Sequence, residues 1–185
     1  MSRMELSEAI ELLAPGEVGA LGPTIWADLG CGAGTFTRAL ASLLAPGSTV
    51  HAIDRDASAL RALPSVHGTT AIRAYAGDFT RRPWPFPDVD GILMANSLHY
   101  VGDQLAFIRA CAAQPAGPPH VLVVEYDTDR GNQWVPYPVS RARLASLFAD
   151  AGYGPVRVLG TRRSIYRGAP IYAAAIAPGR AEGTS

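Results

Sequence analysis

The stretch WADLGCGAGTFTRAL, Trp26 to Leu40, constrains the fold more than any other. It joins a strand-like apolar run to a helix-like one through a turn with glycine at every second position. Gly30, Gly32 and Gly34 accept positive φ and let a ligand lie against bare backbone, where a Cβ would obstruct it. Asp28 stands just ahead of the first of them. A helix beginning near Gly34 points its N-terminal amides and the positive end of its dipole at whatever occupies the turn, which favours a carboxylate or other electron-rich group there. The turn reads as a cofactor cradle and the rest of the chain as its scaffold.

The scaffold follows from hydrophobic periodicity. Ile10, Leu12 and Leu13 predict a short amphipathic helix with Ser7 as its N-cap. Strands are expected over Thr24 to Leu29, Thr49 to Asp54, Thr69 to Asp78, Val89 to Asn96 and His120 to Tyr126. Helices are expected over Thr35 to Leu44, Ala57 to Leu63, Asp103 to Ala113 and Ser140 to Ala151. Prolines at 83, 85 and 87 exclude regular structure between the third and fourth strands. VRVLGTRR and IYAAAIA supply two last strands, joined by a short arginine-bearing turn.

Such alternation predicts an α/β fold, a doubly wound, mostly parallel sheet with helices on both faces. In these sheets a ligand binds outside the carboxyl ends of the strands, at the switch point. The informative residues are therefore Gly30 to Gly34, Asp54, Asp78, Asn96 and the run from Glu125 to Asp127, each of which follows or ends a strand.

Composition narrows the partners. The chain has 185 residues and a formal net charge of zero, with 16 basic and 16 acidic side chains, so no global field gathers nucleic acid or an acidic membrane surface. All the basic side chains are arginine; with so much alanine, glycine and proline this reads as a compositional bias of the source. Cys31 and Cys111 match no metal-ligand spacing, which disfavours a zinc site or a disulfide framework, and Cys31 reads as a small half-buried spacer within the turn. No apolar run reaches membrane-spanning length, and carboxylates interrupt the first segment where a signal peptide needs an apolar core. A soluble, cytoplasmic protein with no nucleic-acid, membrane or metal partner is the expectation.

Two cofactor classes suit a strand, glycine turn and helix followed by a strand ending in an acid. A nicotinamide site wants G-x-G-x-x-G, but position 35 is Thr35 and the glycine comes one place earlier. The order D-L-G-C-G-A-G, A-I-D, G-D-F and A-N-S-L-H-Y is more specific. On these residues the chain resembles the class I S-adenosylmethionine-dependent methyltransferases, particularly the small-molecule type with an L-H-x-V-like segment after the fourth strand. The resemblance covers Trp26 to Ala177. It implies a Rossmann-like, seven-stranded sheet with an antiparallel last strand, and a division into an N-terminal helix and lid over 1–22, a methyltransferase domain over 23–178 and a frayed tail over 179–185. It further implies S-adenosylmethionine as cofactor and S-adenosylhomocysteine as product. Asp28, Gly30, Gly32 and Gly34 would face the methionine end, Asp54 with Arg55 beside it the ribose hydroxyls, Asp78 the adenine amino group with Phe79 beside the ring, and Asn96 the methyl sulfonium.

The chemistry agrees. One carboxylate accepts two hydrogen bonds at once, which suits a vicinal diol. A sulfonium is already a strong electrophile, so the protein's task is in-line alignment, and no nucleophile or triad is required. On the acceptor side His99 and Tyr100 are the candidate catalytic residues, His99 as a base or as the residue that orients the segment after the fourth strand. His51, His67 and His120 lie away from the site. Trp134 and Tyr137 would cover an apolar or aromatic acceptor or pack against the first helix. Arg162, Arg163 and Arg167 read as a solvated turn.

The chain lacks an N-P-P-Y or D-P-P-Y run, which disfavours DNA and glutamine acceptors. The usual lid is reduced to residues 1–22 and the 127–139 loop, so either the acceptor is small and the site open, or a second subunit completes the pocket as a homodimer. The expected function is methyl transfer to a small-molecule acceptor. The alternatives are a nicotinamide-dependent oxidoreductase, disfavoured by Thr35 and the absence of lysine, and a methyltransferase-like binding module without catalysis.

Overall fold

A computed structural model describes residues 4–163 and 169–179. In chain order the elements are α1 (Leu6–Leu13), β1 (Ile25–Leu29), α2 (Thr35–Leu43), β2 (Thr49–Asp54), α3 (Ala57–Leu60), β3 (Val66–His67), β4 (Thr70–Ala76), β5 (Gly91–Ala95), α4 (Gln104–Ala112), β6 (His120–Tyr126), α5 (Arg141–Asp150), β7 (Arg157–Arg162) and β8 (Ile171–Ile176). They build one sheet of eight strands in the order β3-β4-β2-β1-β5-β6-β8-β7. From β4 to β6 every neighbouring pair is parallel, and β8 runs antiparallel between β6 and β7. The expected doubly wound α/β architecture and its antiparallel last strand are both present.

Apolar side chains on both faces explain why the central strands are apolar throughout rather than alternating. On one face Trp26 and Val50 pack with Leu12 and Leu13 of α1 and Leu40 of α2. On the other, Ala27, Ile92 and Val123 pack with Phe107 and Ile108 of α4 and Leu144 and Phe148 of α5. Trp26 lies across β5 at Gly91, its register partner, where a Cβ would overlap the indole ring. Burying a side chain of this size contributes about 3 kcal/mol or more.

The crossover from β4 to β5 carries no helix, as its prolines predict. Trp84 and Phe86 cover the sheet there instead. Phe86 stacks on His51 at 5.0 Å between ring centroids, and the Arg82 guanidinium caps the Trp84 ring at 4.2 Å.

Local differences from the sequence expectations have simple causes. Glu5, not Ser7, precedes α1: its amide donates to the Glu8 carboxylate at 2.9 Å and its side chain accepts in return from the Glu8 amide, a reciprocal pair that closes the helix start without a serine. Helix α3 stops at Leu60, and 61–63 continue as a turn that brings Leu63 against the glycine turn. The eighth strand, β3, is two residues long and pairs antiparallel with the start of β4. Pairing rather than propensity makes so short a piece a strand. Beyond Gly179 the expected tail lies outside the described residues, as does Arg167 in the last connection.

Candidate active site

The winding of the sheet reverses between β1 and β5, which places Gly30, just after β1, beside Asn96 and Ser97, just after β5. The turn is pinned across to β2: the amides of Gly30 and Cys31 both donate to the Ile53 carbonyl, at 2.9 and 3.2 Å, and the Gly32 amide donates to Asp54 Oδ2 at 2.8 Å. Gly30 sits at φ 80°, and a Cβ there would lie 2.7 Å from Ser97 Cβ and 3.1 Å from Phe79 Cε1. Gly34, at φ 83°, caps the N-terminus of α2, and a Cβ there would run into Leu63. Both positions combine left-handed backbone with a close neighbour, so glycine is required twice over.

Two cavities meet at Gly30. The larger, about 720 Å³, has Asp54, Arg55, Asp78, Phe79, Asn96 and Tyr100 in its wall. The smaller, about 270 Å³, is lined by Asp28, Gly32, Gly34 and Phe36, with Met4 and Ala95 at its edge. All nine residues expected to hold a cofactor therefore line one of two adjoining spaces. Sequence reasoning missed three further wall residues of the larger one, Asp56, Thr80 and Ser97.

Asp28 is fully buried; its Oδ2 accepts from the Thr37 hydroxyl at 2.6 Å and its Oδ1 has no partner. Burial pushes its carboxyl up to about 7, partly offset by the Thr37 hydrogen bond and reinforced by the nearby Asp54 charge. Asp54 already accepts one backbone amide on each oxygen, from Gly32 and from Asp56, which holds the carboxylate in one orientation at the end of β2. Asp78 is held by Thr80, whose hydroxyl and amide both donate to Oδ1, and these bonds, with the Arg55 and Arg81 charges, keep its carboxyl below the usual range. The Cys31 thiol is pushed far up by burial and by the Asp28 and Asp54 charges, which removes it from nucleophilic chemistry.

The acceptor-side candidates are placed differently. His99 lies in a single 3-10 turn, Leu98–Tyr100, and is buried. Its Nδ1 is 2.7 Å from Glu125 Oε2, and its amide donates to Glu125 Oε1 at 3.2 Å. An ionised carboxylate only accepts, so Nδ1 carries the proton in this pair. Glu125 was marked in the sequence as a strand end, but nothing there identified its partner. Tyr100 packs against His99 with ring centroids 4.3 Å apart and planes tilted by 53°, is 46 % exposed and lines the larger cavity. Trp134 and Tyr137 are about half exposed and line neither cavity.

The loop carrying them is fastened at both ends. Asp127 binds Arg141 at 2.6 Å and the Tyr172 hydroxyl donates to the Val139 carbonyl at 2.8 Å. The Tyr137 amide donates to the His99 carbonyl at 3.0 Å, and the buried Gln104 amide donates to the Tyr137 carbonyl at 2.8 Å. Away from the site, Arg162 pairs with Glu8 and Glu11, clamping β7 to α1, and His67 meets Ser42. Among the described residues no group of His, Cys, Asp and Glu could hold a metal, and no helix is long and apolar enough to cross a membrane.

Residues 27–114 match the family model described as a methyltransferase domain. No curated protein sequence matches the chain. Among solved structures, EvdMO1 is similar at 22 % identity and TM-score 0.66 over 92 % of this chain, which spans 41 % of EvdMO1. The N-terminal domain of EvdMO1 with S-adenosylhomocysteine bound gives TM-score 0.67 at 18 % identity, covering 97 % of this chain and 83 % of that one. A SAM-dependent methyltransferase from Aquifex aeolicus gives 0.59 at 19 % identity, covering 95 % of this chain and all of that one. Magnesium protoporphyrin IX methyltransferase from Synechocystis PCC 6803 with bound SAM gives 0.62 at 17 % identity, over 91 % of this chain and 76 % of that one. The family match covers the glycine turn and the strands on either side of it, so this stretch is similar to a methyltransferase domain, and the chain as a whole shares the fold of these solved structures.

Proposed function

We propose that this protein transfers a methyl group from S-adenosylmethionine to a small-molecule acceptor by in-line displacement. The observation that carries the reading is the meeting of two cavities at Gly30, a position where a Cβ would collide with Ser97. A ligand of two unlike parts, joined at a narrow neck, suits that shape. Asp54 would take the ribose diol and Asp78 the adenine amino group through its Oδ2, with Phe79 against the ring. The amino-acid tail would lie along Gly32 and Gly34 in the smaller cavity. The unpartnered, buried Asp28 Oδ1 supports a cationic group there, since a buried carboxylate oxygen without a donor is costly. When bound, the cofactor supplies an electrophilic methyl group, so the chain's residues need only hold and orient.

On the acceptor side, Tyr100 is the candidate for contact with the acceptor, and its place in the cavity wall supports that role. His99 is read as its positioning residue. Buried, in the wall of neither cavity, and held by Glu125 on one side and Tyr100 on the other, it sets the direction of the turn rather than meeting the acceptor. Trp134 and Tyr137, which line neither cavity, would meet an acceptor that extends beyond Tyr100 toward the fastened loop. The free thiols of Cys31 and Cys111 support a cytoplasmic setting.

Calorimetry with S-adenosylhomocysteine tests the assignment. The wild type should bind it, and Asp54→Ala should weaken binding about a hundredfold, equivalent to two charge-assisted hydrogen bonds. No binding by the wild type, or equal binding by the variant, would overturn it. A fluorescence titration with reduced nicotinamide dinucleotide should show no saturation.

A further inference from the structure

We propose that Tyr137, laid across Gly102 two residues past Tyr100, makes the acceptor site selective for an uncharged, flat aromatic ring. This rests on the methyl-transfer reading above and names the acceptor class of that same site.

Large apolar side chains left in water are usually scattered singly over a surface. Those at this mouth are neither scattered nor loose. Tyr100, in the wall of the larger cavity, is 46 % exposed, and Tyr137 is 48 % exposed. The segments that carry them are tied to each other. The Tyr137 amide donates to the His99 carbonyl at 3.0 Å, and the buried Gln104 amide donates to the Tyr137 carbonyl at 2.8 Å and to the Leu98 carbonyl at 3.4 Å. The Tyr137 ring then lies over Gly102, where an added Cβ would sit 3.5 Å from its Cζ. The loop behind it is equally set. Asn132 and Val135 exchange backbone bonds at 3.0 and 3.2 Å, the Asn132 side chain accepts from the Trp134 amide at 2.9 Å, and Val135 and Val139 are buried. Two rings are thus held in place while about half of each faces water. Fixing rings in advance lowers the ordering cost when a ligand arrives.

The same bonds decide what the mouth offers. The carbonyls of Leu98, His99 and Tyr137 and the Tyr137 amide are all engaged in them, which leaves ring faces as the main surface for a ligand. Nearby charges are engaged as well: Glu125 holds His99, Asp127 takes both the amide and Nε of Arg141, and Arg143 Nε donates to Gln104 Oε1. Further in, the wall of the larger cavity carries Asp54, Asp56 and Asp78 with Arg55, a negative balance that repels an anionic acceptor. A protonated amine would be drawn in, but its nitrogen has no lone pair for a methyl group. A flat ring bearing a neutral hydroxyl meets every condition, since its faces and edges pack on tyrosine rings and its oxygen keeps its lone pairs.

The test is calorimetry on the protein saturated with S-adenosylhomocysteine, with naphthol, its saturated counterpart decahydronaphthol, naphthoate and naphthylmethylammonium as probes. Naphthol should bind about tenfold more tightly than each of the others. Tyr137→Leu, which keeps apolar bulk but no ring, should weaken naphthol about fivefold and leave decahydronaphthol and S-adenosylhomocysteine within about twofold of the wild type, whereas Tyr137→Phe should bind naphthol as the wild type does. No naphthol binding, equal binding of naphthol and its saturated counterpart, tighter binding of either charged probe, or an unchanged naphthol affinity in Tyr137→Leu would overturn the proposal. So would sedimentation showing a dimer that Tyr137→Leu dissociates, because the ring would then face a second copy of the chain. If S-adenosylhomocysteine binds and the probes fail in any of these ways, the acceptor class is wrong and the cofactor reading stands. If S-adenosylhomocysteine itself does not bind, the cofactor reading fails and the acceptor class falls with it.

Discussion

The two halves of the site are held by different kinds of contact. On the donor half, from Asp28 to Asp78, geometry runs through backbone: the amides of Gly30, Cys31 and Gly32 bind β2, and the carboxylates stand at the ends of paired strands. On the acceptor half, from His99 to Tyr137, side chains carry most of it, with Glu125 gripping His99 and Gln104 linking the turn to the loop that carries Tyr137, beside one backbone bond from the Tyr137 amide to the His99 carbonyl. The donor half therefore inherits the register of the sheet and tolerates little change. The acceptor half hangs on a few side-chain bonds and ends in exposed aromatic rings, so it can vary while the donor half stays fixed. That division suits the proposed function, in which the donor is fixed and the acceptor side sets the substrate.

Three variants can break or sharpen this contrast. The largest effect is expected from Gly34→Val, which puts a β-branched residue at φ 83° and against Leu63. It should lower unfolding free energy by about 3 kcal/mol or more and abolish S-adenosylhomocysteine binding, measured by urea titration and calorimetry. A fully stable, ligand-binding variant would mean the turn is not rigid.

Asp28→Asn comes next. The buried Asp28 carboxyl, raised to about 7, keeps a proton that the unfolded chain has released, so the folded state binds more protons between the unfolded value of 3.8 and about 7. Its stabilising contribution is fully present below the unfolded value and is lost as pH rises through the folded value, and asparagine removes that dependence. Between about pH 7 and 5.5 the wild type should gain about 1.5 kcal/mol relative to the variant in the unliganded state, read from paired urea titrations. Parallel pH profiles would show that Asp28 is ionised throughout.

The smallest effect belongs to the acceptor half. Gln104→Ala should cost about 1 kcal/mol and speed amide exchange over 128–137, while the affinity for S-adenosylhomocysteine stays at the wild-type value. A weakened donor affinity would mean that the two halves are coupled.

Legibility in the sequence follows the same division. Strands β2 and β6 coincide with their expected bounds because each is an apolar run ended by a polar residue or a breaker. The place of the glycine turn, Asp54 and Asp78 in the cavity walls was readable because it depends on position along the chain, at the ends of strands. Glu125 stood out as a strand end, but its bond to His99 spans 26 residues and depends on the order β1-β5-β6. Ser97 gave no signal, since a serine after a strand reads as an ordinary turn residue, and β3 gave none because two residues carry no periodicity.

By itself the sequence determined the alternation of strands and helices, the glycine cradle and the acids that follow the strands, because period, steric freedom and strand ends are local properties. Only the tertiary structure decided that the cradle opens into two cavities joined at Gly30, and that His99 is withdrawn onto Glu125 while Tyr100 reaches the wall. It also decided that the Tyr137 ring comes to lie over Gly102. Those facts depend on which strands become neighbours, and the burial of both sheet faces settles that for the whole chain at once.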